Sequence, residues 1–276
     1  MRMLPTNQIW RYWSFETFLE DVSALGVRDV DLWLCNNHVN IDAHGAYNTD
    51  EVVRGMRRHG LRAMTLTPEQ GNPKAYNVAS EDGEIRRLTL CYYRQIVRLA
   101  AALGAERISL NAGWFPFDAD RDRAWDAMVS MLGKICRAAA EEGLTVALET
   151  LVDKPYRLVT SLETLGAALL DVGESNLTVT IDTGTVARNG EDIDAYLSRF
   201  GSELGYVHLT NLNRDIFAHL AWGDQLGGLD PQDLLRRFAC AGYTGDAALE
   251  MTKPSYFERP RDVLSRALTT LRGCEC

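Results

Sequence analysis

Four short apolar runs in the second half of the chain each end in a residue able to bind a cation. LTVALE ends in Glu149, LTVTID in Asp182, LGYVH in His208 and DAALE in Glu250. Strands buried on both faces should be nearly all apolar, so a polar residue at the same relative place in four successive runs needs a reason. Neighbouring strands lie about 4.8 Å apart, and four side chains at equivalent heights can converge on one point. Three carboxylates and an imidazole make a mostly hard donor set. It suits one divalent ion, Mn2+ first, with Mg2+ or Co2+ in the same octahedral role and Zn2+ as a further choice. Four protein ligands would leave about two positions of that octahedron for water or substrate oxygens. Without a cation the carboxylates would repel one another and shift towards protonation. A helix N-terminus or an arginine could satisfy any one of them singly; their common placement favours a shared centre.

The elements that must position these residues alternate between short apolar runs and longer amphipathic segments, the pattern of βαβ units. The first strand is poorly marked, within Met3–Tyr12. The others are expected at Val27–Leu34, Leu61–Leu66, Arg107–Asn111, Leu144–Thr150, Leu177–Asp182, Leu204–Thr210 and Asp246–Met251. Helices are expected at Ser14–Leu25, Asn48–His59, Glu81–Leu103, Arg121–Glu142, Ser161–Asp171, Asp192–Phe200, Pro231–Cys240 and Arg261–Leu271. A long loop through Pro68, Gly71 and Pro73 follows the third strand. Most helices stop at a glycine, which readily takes the left-handed conformation. An open doubly wound sheet usually carries a Gly-rich phosphate loop after its first strand, and no GxGxxG occurs here. Eight strands and eight helices in 276 residues, with no linker, predict one (β/α)8 TIM-barrel domain over residues 1–276. The four candidate ligands then sit at the C-terminal strand ends, the face where barrel enzymes carry their chemistry.

Composition narrows the function classes. Apolar residues make up 46% and charged residues 24%, enough to fill a large core. A net charge of −9 disfavours general binding to phosphate backbones. No apolar run is long enough for a membrane span, and Met1–Trp10 is too polar for a signal-peptide core. The six cysteines, at 35, 91, 136, 240, 274 and 276, include no CxxC pair. Cys274 and Cys276 are read as incidental on a frayed tail, and the cytoplasm is the expected compartment.

The sequence resembles the xylose isomerase-like barrels, which include sugar isomerases, sugar epimerases and apurinic endonucleases. The resemblance follows the strand order of the whole chain. It is sharpest in ALET at 147–150, IDTG at 181–184, VHLTNLNR at 207–214 and ALEM at 248–251. Within that family it is nearest to ketose 3-epimerases and hydroxypyruvate isomerase-like enzymes. The resemblance implies that Glu149 and Glu250 both hold the metal and shuttle a proton, while Asp182 and His208 are ligands only. It also implies that Arg214, six residues after the histidine, contacts substrate oxygens. Two positions depart from the pattern: Thr185 stands where relatives often carry a histidine, and Asn211 where ketose 3-epimerases usually carry a glutamate.

The implied activity is a metal-dependent sugar isomerase or epimerase working by proton transfer next to a carbonyl, through an enediolate stabilised by the cation. The alternative is a lyase acting on an oxidised keto sugar or glycoside with the same metal and base. Free and phosphorylated sugars both stay open, and the family's habits suggest a dimer or tetramer. The endonuclease branch is disfavoured, because it needs many histidines and this chain has five. A non-catalytic barrel is disfavoured by the cost of burying acids without a cation. Trp114, Trp222 and His38 are further candidates for substrate contact, with Thr185 by its place in the family motif. His219, His44, Arg157 and Lys253 lie in loops after strand ends and are weaker candidates. His59, at a helix end, is read as structural.

Overall fold

The computed structural model describes residues 1–70 and 75–274. Gly71, Pro73 and Cys276 lie outside the described residues. The barrel strands are β1 (Arg2–Pro5), β2 (Asp29–Leu34), β3 (Arg62–Pro68), β4 (Arg107–Asn111), β5 (Thr145–Glu149), β6 (Leu177–Asp182), β7 (Leu204–His208) and β10 (Asp246–Leu249). They pair in parallel in the order β1-β10-β7-β6-β5-β4-β3-β2, and a parallel bridge between Thr6 and Asp31 joins the two ends. The result is the expected (β/α)8 barrel. β8 (Asn211–Asn213) and β9 (Ile216–Leu220) form a separate antiparallel hairpin above β7.

The helices are α1 (Phe15–Ala24), α2 (Thr49–Arg58), α3 (Gly83–Leu103), α4 (Arg121–Ala140), α5 (Asp153–Tyr156), α6 (Leu162–Val172), α7 (Thr183–Asn189), α8 (Ile193–Phe200), α9 (Pro231–Cys240) and α10 (Pro260–Arg272). Local chemistry sets most of their ends. Ser14, Asp82, Asp120, Ser161 and Asp230 accept hydrogen bonds from first-turn amides. Gly104 closes α3 in the left-handed region, at φ 68°.

Three elements depart from the sequence expectation. α5, α7 and the β8–β9 hairpin lie in stretches read as loops, because each is too short for a periodic pattern. The seventh and eighth strands also end earlier than expected, at His208 and Leu249. The apolar residues beyond them belong to loops packed over the barrel mouth. The first strand is only Arg2–Pro5, followed by a buried 3-10 turn, Gln8–Trp10.

Side chains alternate faces along a strand, so residues two apart share a face. Leu4, Met64, Ala147, Tyr206 and Ala248 form an apolar cluster separate from the main core between sheet and helices. Glu149, His208 and Glu250 each stand two residues beyond a member of this plug. The same alternation puts charge beneath it. Arg2 grips Asp246 with two donors, Nε at 2.6 Å and Nη2 at 2.8 Å, and Arg107 Nη1 reaches the same carboxylate at 2.6 Å. Asp29 takes a second pair of donors from Arg62.

Burial opposes charge on Asp246, but the two arginines outweigh it and hold its pKa below the usual carboxylate value. A lowered folded-state pKa means stability that is present above the unfolded value near 4 and lost as pH falls through the folded value. D246N should therefore cost about 3 kcal/mol at pH 7 by denaturant titration, and the gap to wild type should narrow at pH 3. Equal stability at pH 7, or a gap unchanged in acid, would show that the cluster does not hold the barrel base together.

Candidate active site

Parallel register brings the four ligand candidates to the same end of the barrel. Asp182 pairs with His208, Ala248 with His208, and Thr180 with Glu149, so Asp182 lies one pleat above that last pair. Glu250 follows the end of β10 directly. One ligand atom from each of Glu149, Asp182, His208 and Glu250 lies within 4.8 Å of the others. His208 Nδ1 is 2.8 Å from Glu149 Oε1 and 3.6 Å from Glu250 Oε2. Its Nε2 faces Ser109 Oγ at 3.4 Å, so Nδ1 is the nitrogen turned to the cluster.

The turn after β6 explains the IDTG motif. Asp182 Oδ1 accepts from Thr185 N and Thr210 Oγ1, each at 2.7 Å, and Thr210 Oγ1 accepts from Gly184 N at 2.8 Å. A Cβ on residue 184 would meet Thr210 Oγ1 at 2.6 Å, so only glycine leaves room for this clasp. Asp182 Oδ2 is buried with no hydrogen-bond partner among the described residues. An unpaired buried carboxylate oxygen is costly, and it points to a missing positive partner. With three carboxylates and an imidazole nitrogen converging beside it, the residues present fit a divalent cation.

The electrostatics agree. Burial pushes Glu149 above the ordinary glutamate pKa. Burial also opposes charge on His208, yet Glu250, Glu149 and Asp182 hold it well above the usual imidazole value. For Glu250 burial is overcome by His208, His219 and a hydrogen bond from Gln8, which pull it down to about 2. Deeper in the barrel, Asp31 accepts from Tyr206 and Thr67, and burial raises its pKa to about 6.

Glu149 and Glu250 line a cavity of about 530 Å³, while Asp182 and His208 are buried. Thr185, His219 and Asn211 line it, and His219 Nδ1 lies 3.2 Å from Glu250 Oε2. Trp114 lines a smaller adjoining cavity of about 100 Å³ instead.

Other expected contacts are not brought to this wall. Trp222 is buried, its one donor satisfied by Leu209 O. His38 is buried with Nδ1 beside Asn7 Nδ2 and Nε2 beside Trp13 O, and burial lowers its pKa. Arg214 sits exposed in the two-residue turn of the hairpin, because Asn213 pairs with Ile216. Arg157 stacks over Phe115 and Phe117, Lys253 pairs with Asp224, His44 is exposed and His59 pairs with Glu16.

Several cavity residues carry no local signal. Gln8 donates to Glu250 Oε1 at 2.9 Å. It sits in the 3-10 turn after the first strand, too short an element to carry a period. Arg188 lines the cavity from α7 and holds the hairpin by donating to Asn213 O and Ile216 O. Arg11, Gln70 and Asn111 complete the polar wall.

A family model described as a xylose isomerase-like TIM barrel matches residues 19–274. D-psicose 3-epimerase from Ruminiclostridium cellulolyticum is 23% identical over 198 residues, covering 70% of this chain and 64% of that protein, less than two thirds of its length. D-allulose 3-epimerase from a Methylomonas species, in complex with D-allulose, superposes with a TM-score of 0.82 at 17% identity, over 100% of this chain and 97% of the other. 3-Keto-D-glucoside 4-epimerase from E. coli gives 0.76 at 18% identity, over 98% and 99%. At such identities the two solved structures speak for the fold, whereas the family model spans nearly the whole sequence: the chain belongs to the xylose isomerase-like TIM-barrel family.

Proposed function

We propose that this protein is a divalent-metal-dependent sugar epimerase or isomerase. The observation that carries the reading is the convergence of Glu149, Asp182, His208 and Glu250, two of them lining the cavity, with one Asp182 oxygen unpaired among the described residues. The names of the curated and structural relatives, sugar 3- and 4-epimerases, support the same class. These four residues would hold the cation, with manganese the first candidate. When bound, the cation supplies positive charge to substrate oxygens next to the carbon that loses its proton.

Glu149 and Glu250 are the proposed proton carriers. They come from the fifth and eighth barrel strands, so they approach the cavity from different walls. One can take a proton from the carbon next to a carbonyl and the other can return it. Return to the same carbon gives an epimer; return to the neighbouring carbon gives an aldose–ketose isomer. Gln8 holds Glu250 in place through a hydrogen bond, His219 lies beside it, and His208 holds Glu149. Expulsion of a substituent in place of proton return would make the enzyme a lyase.

The test is deuterium wash-in. Purified protein with Mn2+ is offered ketoses and 3-keto-glycosides in D2O. Label should enter a carbon next to a carbonyl, and the product identifies epimerisation, isomerisation or elimination. Metal-loaded protein that labels none of the panel would sink the proposal.

A further inference from the structure

Beyond the four candidate ligands, one arginine stands apart on the cavity wall. Arg11 lines the cavity and forms no salt bridge among the described residues. Its Nε donates to Gln8 O at 2.8 Å. Its guanidinium carbon lies 4.7 Å from the Trp33 ring centroid and 5.0 Å from that of Phe257. Among the described residues both terminal nitrogens lack a hydrogen-bond partner, unlike those of Arg188, which are used on hairpin carbonyls.

The platform beneath Arg11 is rigid. Gln8, Ile9 and Trp10 are buried. Asn7 clamps the backbone of Trp33 in both directions, accepting from its N–H at 2.7 Å and donating to its carbonyl at 2.9 Å. Gln8 also joins Arg11 to the metal cluster: its carbonyl holds Arg11 Nε while its side chain holds Glu250. The free fork is thus fixed beside the reacting centre, with little conformational freedom left to lose on binding.

We propose that Arg11 binds an anionic oxygen group, a carboxylate or a phosphate, carried by the substrate away from its reacting carbon. This rests on the sugar-enzyme reading only in taking the ligand as sugar-derived. A planar guanidinium stacked on aromatic rings with two free donors matches such a group in bidentate fashion. Neutral hydroxyls need no such residue, and Gln70 and Asn111 on the same wall can serve them. The chain has 38 acidic side chains against 29 basic ones, yet among the described residues no acid pairs with this arginine on the cavity wall. The cavity's size, about 530 Å³, also leaves room for a substituent.

The experiment is calorimetric binding to the Mn2+-loaded full chain of three probes: D-fructose, D-fructose 6-phosphate and 5-keto-D-gluconate. At least one anionic probe should bind about tenfold or more tighter than fructose, as a charge-assisted contact implies. R11M keeps the aliphatic stack and should erase that preference, while its fructose affinity, Mn2+ affinity and melting temperature match wild type. R11K should keep part of it. A phosphate-only preference makes the substrate a sugar phosphate, and a carboxylate-only preference makes it a sugar acid. Equal binding of all three probes by wild type, or an undiminished preference in R11M, overturns the assignment. Absence of wash-in beside an Arg11-dependent anion preference would remove the isomerase reading and leave this one standing.

Discussion

E149Q and E250Q should each lower deuterium exchange by roughly 10²–10⁴-fold, the usual contribution of a positioned acid or base. Mn2+ retention should fall much less. The asymmetry follows from chemistry at one atom. A glutamine carbonyl oxygen still offers a lone pair to a cation, but the amide cannot carry a proton between substrate and enzyme. Geometry should survive as well, because the Gln8 side chain donates to Glu250 Oε1, and a glutamine oxygen can accept there. Wash-in rates and metal content, measured on the same preparations, check this. A variant that keeps its metal and exchanges at the wild-type rate would remove that residue from the proton path. A variant that loses metal and exchange together would reduce it to a ligand.

D182N should abolish metal-induced stabilisation while leaving the metal-free protein folded. A cation at a hundred times its dissociation constant stabilises a protein that binds it only when folded by about 2.7 kcal/mol. For a chain of this size that is on the order of a 5 °C rise in melting temperature. Asp182 spends Oδ1 on Thr185 and Thr210, while Oδ2 has no partner among the described residues. Asparagine can keep the first two contacts but puts an N–H2 where a lone pair must face the ion. It also removes one of three mutually repelling carboxylates, so the metal-free variant should melt no lower than metal-free wild type. Differential scanning calorimetry with and without Mn2+ decides the matter. An undiminished Mn2+ shift in D182N, or no shift in wild type, would dissolve the proposed centre.

Much of this molecule could be read along the chain. The apolar runs at 107–111 and 177–182 coincide with strands β4 and β6, and the helix at 231–240 with α9. Such segments carry their own period and stops, and burial rewards that period wherever they end up. The meeting of Glu149, Asp182, His208 and Glu250 was equally accessible. Parallel strands joined by helices all end on one face, so equivalent positions in sequence become neighbours in space.

What tertiary structure alone decided is the wall around that cluster. Arg214 follows a family motif, yet a two-residue turn carries it into solvent. Trp222 and His38 have the chemistry of substrate contacts, but neighbours distant in sequence consume their polar atoms. Gln8 and Arg11, at the two ends of the 3-10 turn after the short first strand, take places beside Glu250 and over Trp33. Loop paths over a barrel mouth depend on packing between segments far apart in the chain, which no local period encodes. The sequence by itself therefore determined the barrel and the meeting of its four candidate ligands, and the fold decided which side chains line the cavity above them.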